Sequence, residues 1–181
     1  MPKNISVFCS SSNTVDAAYF EAAEELGRLI AQRGHTLLFG GAKTGLMGRV
    51  AQTAHQHGGE IIGVLPKGLM EMGGVFEECD ELIITRDLRE QKAVMAARSD
   101  AFIGLPGGFG TLEEMMERLT LKQLGFHNKA IIFINTRQVY QPLFDFFEHL
   151  YRENFAASSC RDLYYIAPDS LSAIDWLEKN L

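Results

Sequence analysis

The sequence is poor in the features that mark secreted, membrane and nucleic-acid-binding proteins. Its three cysteines, Cys9, Cys79 and Cys160, are odd in number and widely spaced, so they fit neither a disulfide framework nor a metal-binding motif. No apolar run approaches the length of a membrane span, and the first residues lack the apolar core of a signal peptide. The net charge of −6 argues against a general nucleic-acid or membrane-surface binder. We therefore expect a cytoplasmic protein with neither kind of partner, and residues 1–181 suit one domain.

Familiar cofactor motifs are missing as well. The glycine-rich turn from Gly40 to Gly48 lacks the Gly-x-Gly-x-x-Gly pattern of dinucleotide-binding proteins, and no acidic residue ends the preceding strand to hold a ribose. The turn also lacks the Gly-Lys-Ser/Thr of a P-loop. The five histidines are dispersed, and His55 and His57 cannot share a helix face because they lie two residues apart. The sequence therefore predicts no metal site and no cofactor.

The most informative stretch runs from Ser99 to Glu114 and predicts a buried strand, a sharp turn and the start of a helix. The apolar run from Phe102 to Leu105 has strand length. Thr111 is predicted to cap the helix, and the other free N–H groups of its first turn would attract a phosphate. The turn itself is built from residues that end a strand and let the backbone approach a ligand: Pro106, Gly107, Gly108 and Gly110.

Two glutamates, Glu113 and Glu114, follow this turn, and their role has two interpretations. A carboxylate next to a phosphate pocket suggests chemistry on a molecule that the phosphate anchors. Alternatively, Thr-x-x-Glu is a capping box, in which Glu114 bonds back to the N–H of Thr111. Spacing alone favours neither interpretation.

Strands and helices alternate along the whole chain, and the strands are apolar on both faces. This pattern predicts an α/β fold, a Rossmann-like three-layer sandwich with a parallel sheet. Polar or glycine-rich turns follow three of the strands, at Ser10 to Asn13, Gly40 to Gly48 and Pro106 to Thr111. Because ligands bind beyond the carboxyl ends of such strands, we expect these turns to form one site.

Two further segments flank the predicted site. The segment from Lys67 to Cys79 is rich in Gly and Met and is predicted to be irregular, as a lid or pocket wall. A predicted helix from Asp87 to Arg98 carries several basic side chains, which either form a solvated face or place one or two charges toward the phosphate. These basic residues are Arg89, Lys92 and Arg98, with Arg86 just before the helix.

The run Pro-Gly-Gly-Phe-Gly-Thr-Leu-Glu-Glu, ending at Glu114, resembles the Pro-Gly-Gly-x-Gly-Thr-x-x-Glu signature of the LONELY GUY (LOG) family. The resemblance extends over nearly the whole chain, from the first turn after Val7 to the segment that begins at Gln123. Members of this family are cytokinin riboside 5′-monophosphate phosphoribohydrolases, often labelled "putative lysine decarboxylase". The resemblance implies hydrolysis of the N-glycosidic bond of a nucleoside 5′-monophosphate, with release of a free base and ribose 5-phosphate. It also implies a homodimer with sites near the subunit interface.

The resemblance assigns roles to individual residues. It implies that Glu114 is the catalytic carboxylate, and it places Gln91 at the position where the family has an arginine that acts with the glutamate. A non-catalytic nucleotide-binding or regulatory protein with the same fold is the alternative function, and the neutral Gln91 favours it. The implied substrate-binding and phosphate-binding residues are Gly107, Gly108, Gly110, Thr111, Lys92, Gly41, Ser11 and Thr120.

Overall fold

The fold is built on a sheet of parallel strands. The computed structural model describes residues 1–72 and 74–181. Within these residues the strands are Asn4–Phe8 (β1), Thr36–Phe39 (β2), Ile61–Pro66 (β3), Glu81–Thr85 (β4), Ala101–Gly104 (β5), Ala130–Ile134 (β6) and Tyr165–Ala167 (β7). The helices are Ala17–Gln32 (α1), Gly45–Gln56 (α2), Lys67–Glu71 (α3), Leu88–Arg98 (α4), Phe109–Gln123 (α5), Gln141–Arg152 (α6) and Ser170–Asn180 (α7). Short 3₁₀ helices occupy Thr136–Gln138 and Ser158–Leu163.

The strands pair in the order β4-β3-β2-β1-β5-β6-β7, and every pair is parallel. The order reverses at β1, which pairs with β2 on one side and β5 on the other, so that Ile5 lies opposite both Leu37 and Ala101. A parallel sheet has its ligand crevice beyond the carboxyl ends of the strands at such a reversal. The topology therefore places the crevice after Phe8 and Gly104.

Two apolar cores cover the two faces of the sheet. One core contains side chains of α1, α2 and α7, such as Leu26, Val50 and Ile174. The other contains side chains of α4, α5 and α6, such as Met95 and Met115. This arrangement is the predicted Rossmann-like three-layer sandwich, and it arises because strands with apolar side chains on both faces require cover on both sides.

The segment predicted to be irregular, Lys67 to Cys79, is only partly so. Residues Lys67–Glu71 form the short helix α3 directly after β3, and Val75 forms an isolated antiparallel bridge with Ala42. Gly73, inside the same prediction, lies outside the described residues. The prediction of irregular structure is therefore wrong for α3, because the Gly and Met content of this segment hid a helix of little more than one turn.

Among the residues that the structure describes, no helix is both long and apolar enough to span a bilayer.

Candidate functional site

The loop after β1 is hydrogen-bonded to both of the other predicted loops, those after β2 and β5. The N–H of Ser10 donates to the carbonyl of Pro106 over 3.1 Å, and the carbonyl of Ser10 accepts from the N–H of Leu46 over 2.9 Å. The side-chain oxygen of Asn13 accepts from the N–H of Gly45 over 2.8 Å. The structure thus confirms that the three polar and glycine-rich turns meet at one edge of the sheet.

A cavity of about 630 Å³ opens between these loops. One part of its wall carries hydroxyl groups, from Ser10, Ser11, Ser12, Thr44 and Thr111. Another part is apolar and is formed by Met47, Leu65, Leu69, Met72, Leu88 and Phe109. Glu114 is the one carboxylate in the wall, and no lysine or arginine of the described chain contributes to it. The cavity therefore combines hydroxyl groups, apolar side chains and a single carboxyl group.

The start of α5 presents free N–H groups to this cavity. The helix has Gly108 at its N-cap position with no side-chain cap, whereas Asp16, Asp87 and Asp169 cap α1, α4 and α7. Within the described chain the N–H groups of Phe109, Gly110 and Thr111 have no hydrogen-bond partner. Unpaired N–H groups at a helix start attract anions, so this part of the cavity is suited to an anionic group such as a phosphate.

Thr111 is not the N-cap that the sequence predicted. The helix begins at Phe109, so Thr111 is its third residue and its side chain is buried. Gly107 packs against it so closely that a Cβ on Gly107 would lie 2.1 Å from the Thr111 hydroxyl oxygen. The capping-box interpretation of Glu114 fails for the same reason, since Thr111 is already inside the helix.

Glu114 is partly buried in the cavity wall, and its ionisation is unusual. Burial raises the pKa of its carboxyl group from the ordinary 4.5 to about 7, and the charge of Glu113 adds to this increase. The positive charges of Lys92 and Arg118 lower it. Burial and the charge of Glu114 also raise the pKa of the Cys9 thiol, which lies in the same wall. A carboxyl group with a pKa near 7 is suited to accept or donate a proton at neutral pH.

Gln91 lies in the same wall but is held by the protein. Its side-chain amide is buried and donates to the carbonyl of Val64 over 2.6 Å, which ties α4 to β3. A glutamine therefore supplies a neutral hydrogen-bonding group at this position of the cavity, with no positive charge.

The structure does not bring all of the predicted residues to the cavity. Lys92 pairs with Glu113 and lies 3.4 Å from Glu117, and it does not line the cavity. Gly41 has a positive φ of 76° and packs against Leu65, outside the cavity wall. Thr120 is exposed and lies about two turns of α5 beyond Glu113, outside the cavity wall. By contrast, Ser11, Gly108, Gly110 and Thr111 all line the cavity, and Gly107 packs directly behind Thr111.

The other basic residues also stay away from the predicted phosphate. Arg98 forms a two-bond pair with Glu81 over 2.7 Å, Arg86 pairs with Glu90, and Arg89 is exposed. The prediction that one or two of them reach the phosphate is not supported by these positions. Sequence reasoning missed Arg118, which is almost fully buried one turn after Glu114. An arginine inside an apolar helical stripe was the available signal.

The predicted pocket wall between Lys67 and Cys79 is confirmed in part. Leu69 and Met72 line the cavity from the side of α3, as does Gly74 after it. Together with Leu88 and the 94% exposed Phe109, they form the apolar rim of the cavity.

Sequence comparison finds relatives that match nearly the whole of this chain. The family model described as "Possible lysine decarboxylase" matches residues 47–177. The cytokinin riboside 5′-monophosphate phosphoribohydrolase LOG3 of Arabidopsis thaliana is 38% identical over 177 residues, which are 98% of this chain and 82% of that protein. The cytokinin riboside 5′-monophosphate phosphoribohydrolase LOG of Oryza sativa subsp. japonica is 39% identical over 98% of this chain and 73% of its own length.

Solved structures with the same fold include proteins of another kind. The molybdenum cofactor binding protein of Rippkaea orientalis superposes with a TM-score of 0.76 at 24% identity, over 99% of this chain and 97% of that one. The Moco carrier protein of Chlamydomonas reinhardtii gives a TM-score of 0.74, also at 24% identity and over the same shares of the two chains. At this identity the likeness shows a shared fold alone. The matches to curated enzymes and to the family model decide the family, and the chain belongs to the LOG family of phosphoribohydrolases, whose sequence model carries the lysine decarboxylase description.

Proposed function

We propose that the protein is an enzyme that hydrolyses the N-glycosidic bond of a nucleoside 5′-monophosphate, either a cytokinin riboside monophosphate or AMP. The products are the free base and ribose 5-phosphate. One observation carries the proposal: the partly buried carboxyl group of Glu114 shares a cavity with the free N–H groups at the start of α5. The names of the relatives support the same reaction.

The two kinds of lining in the cavity suit the two ends of such a substrate. The 5′-phosphate binds at the N–H groups of Phe109, Gly110 and Thr111, with hydroxyl groups such as that of Ser11 beside it. The base lies toward the apolar rim, where Leu69 and Phe109 contact a flat or aliphatic group. The ribose then lies between them, next to Glu114.

In the reaction, a water oxygen attacks C1′ of the ribose as the bond from C1′ to the base breaks. The electron pair of that bond leaves with the base, which takes up a proton from the solvent. The carboxylate of Glu114 stabilises the positive charge that develops on the ribose and accepts the proton of the attacking water. Gln91 contributes hydrogen bonding without charge, so the carboxylate provides most of the stabilisation.

Release of base from different substrates tests the proposal directly. We expect purified protein to release adenine from AMP or isopentenyladenine from isopentenyladenosine monophosphate, measured by liquid chromatography. The corresponding ribosides without phosphate should react far more slowly, because they leave the N–H groups of α5 unused. No base from either monophosphate would refute the assignment, and equal rates for the ribosides would refute the phosphate site.

The rate should depend on pH with a midpoint near 7. Above this midpoint Glu114 is a carboxylate that can accept a proton, and below it the group is protonated and inactive as a base. We therefore expect kcat/KM to rise between pH 5 and pH 8 and then to level off. A rate that falls over this range would instead identify Glu114 as a proton donor to the leaving base.

The other reaction named for the family fits the cavity poorly. Lysine decarboxylation requires an electron sink such as pyridoxal phosphate, which proteins bind through a lysine. No lysine of the described chain lines the cavity, and Lys92 is engaged with Glu113 and Glu117.

We also propose that the protein acts as a homodimer in the cytoplasm. The family resemblance supports the dimer. The absence of disulfides among Cys9, Cys79 and Cys160 supports a reducing compartment.

A further inference from the structure

Arg118 lies in surroundings that are costly for a guanidinium group. Its side chain is only 4% exposed and stacks over the ring of Phe102, 5.6 Å from the ring centre. Its sole anionic partner in the described chain is the neighbouring Glu117, and its Nε atom has no hydrogen-bond partner there. Burying a charge with incomplete pairing destabilises a fold, and an apolar side chain would pack on Phe102 at lower cost. Packing alone therefore does not account for an arginine at this position.

The position of Arg118 on α5 points to Glu114. Residues four apart are neighbours on one helix face, so Arg118 follows Glu114 by one turn on the same side. Its positive charge lowers the pKa of Glu114, as does that of Lys92. No lysine or arginine of the described chain lines the cavity, and the α4 position facing it holds the neutral Gln91. The positive charge near Glu114 thus comes from behind the cavity wall.

The charges around Glu114 form a connected set. Lys92 of α4 pairs with Glu113 and Glu117 of α5, and Glu117 also pairs with Arg118. Directly after β1, the thiol of Cys9 lies in the same cavity wall as Glu114. Beyond Arg118, Lys129 lies 6.0 Å from the centre of the same Phe102 ring, and His127 contacts the Arg118 carbonyl oxygen over 3.1 Å. Lys122 on α5 acts electrostatically on His127. Of these groups, Arg118 and Lys92 are the cations that act on Glu114.

We propose that Arg118 is a positioning residue that, together with Lys92, keeps Glu114 ionised beside a bound phosphate. The role rests on the proposed function, in which Glu114 works as a carboxylate. A phosphate and a carboxylate in one cavity repel each other, and without a compensating cation the carboxylate would take up a proton. Arg118 supplies that cation from α5 without contacting the substrate.

The titration of Glu114 itself tests this role without any need for activity. The carboxyl carbon of Glu114 is followed by ¹³C NMR against pH and assigned by comparison with Glu114→Gln. We expect Arg118→Met to raise the Glu114 midpoint by about one pH unit, the size of shift expected for one nearby charge at intermediate dielectric. Arg118→Lys should keep the midpoint close to that of the unaltered protein. Arg98→Met, at an arginine paired with Glu81 far from the cavity, should leave it unchanged.

A second variant guards against a failure of Arg118→Met to fold. Glu117→Gln removes a negative charge and frees both Lys92 and Arg118 from their shared partner. It should therefore lower the Glu114 midpoint, the opposite direction. A folded Arg118→Met with an unchanged midpoint overturns the proposal, as does an unchanged midpoint in Glu117→Gln. The low-pH limb of kcat/KM should shift in parallel, whereas an unaltered protein that releases no base refutes the hydrolase assignment and leaves the titration result standing.

Discussion

Glu114→Gln should abolish most of the activity and stabilise the protein in the same step. Removing a positioned acid–base group typically lowers the rate by ~10²–10⁴, and an amide at this position can neither accept the proton of water nor balance charge on the ribose. The stability gain arises because a buried carboxylate is costly, whereas glutamine carries no charge to bury.

The pH dependence of this stability gain follows from the pKa values. The pKa of Glu114 is about 7 in the folded protein and near its ordinary 4.5 in the unfolded chain. Between these values the unfolded chain releases the proton while the folded protein keeps it, so the free energy of unfolding falls as pH rises. A shift of this size corresponds to about 3 kcal/mol, which is lost progressively up to pH 7 and stays lost above it. The Glu114→Gln variant has no carboxyl group at this position, so its free energy of unfolding does not fall in this way.

Thermal unfolding at two pH values measures the effect. Near pH 4.5 the glutamine variant and the unaltered protein should unfold at similar temperatures. At pH 8 the variant should be more stable by ~3 kcal/mol, which is several degrees for a chain of this length. Glu113→Gln is the matched control, because Glu113 is the adjacent glutamate and its side chain is 58% exposed. That variant should keep base release and show no comparable gain at pH 8. Equal stabilities of Glu114→Gln and the unaltered protein at pH 8 would show that Glu114 is not buried as described.

The sheet and the location of the site could be predicted from the sequence because they depend on local patterns. Runs such as Phe102 to Leu105, apolar on both faces, are compatible only with a sheet that is covered on both sides. The parallel arrangement then brings the loops after β1, β2 and β5 to one edge, whatever their side chains. The glycines after β5 lie at this edge, so the sequence also indicated where the cavity opens.

The roles of single side chains were harder to predict because they depend on neighbours that are distant in sequence. The sequence predicted that Lys92 binds phosphate, but in the structure its ammonium group pairs with Glu113 and Glu117 of α5. Thr111 has the chemistry of a helix cap, yet α5 already begins at Phe109, and the free N–H groups of its first turn face a cavity, where a side-chain cap would compete with a ligand. In the sequence, Arg118 is one of several charged residues on a helix. Only its packing on Phe102 in the structure shows that it is buried.

The second large effect is expected at Gly45, where α2 begins. Gly45 has a φ of +61°, and a Cβ there would lie 2.4 Å from the carbonyl carbon of Ser11 and 2.7 Å from the nitrogen of Ser12. These are backbone atoms of the loop after β1, which cannot move aside as a flexible side chain does. Gly45→Ala therefore combines a left-handed backbone with a steric overlap, which together should destabilise the protein by about 4 kcal/mol.

Gly58→Ala separates the two causes. Gly58 has a similar φ of +71° but no atom within 4 Å of the site of a Cβ. Its alanine variant should lose only ~1–2 kcal/mol, the cost of the left-handed backbone, and should keep full activity. Urea unfolding of both variants gives the difference, and base release is compared at a temperature where both are folded. Because the loop after β1 hydrogen-bonds to Pro106 and lines the cavity through Ser11, Gly45→Ala should also reduce base release when folded. Equal losses of stability in the two variants would mean that the loops after β1 and β2 are not in backbone contact, and the cavity between them would then lack the rigid wall that the phosphate site requires.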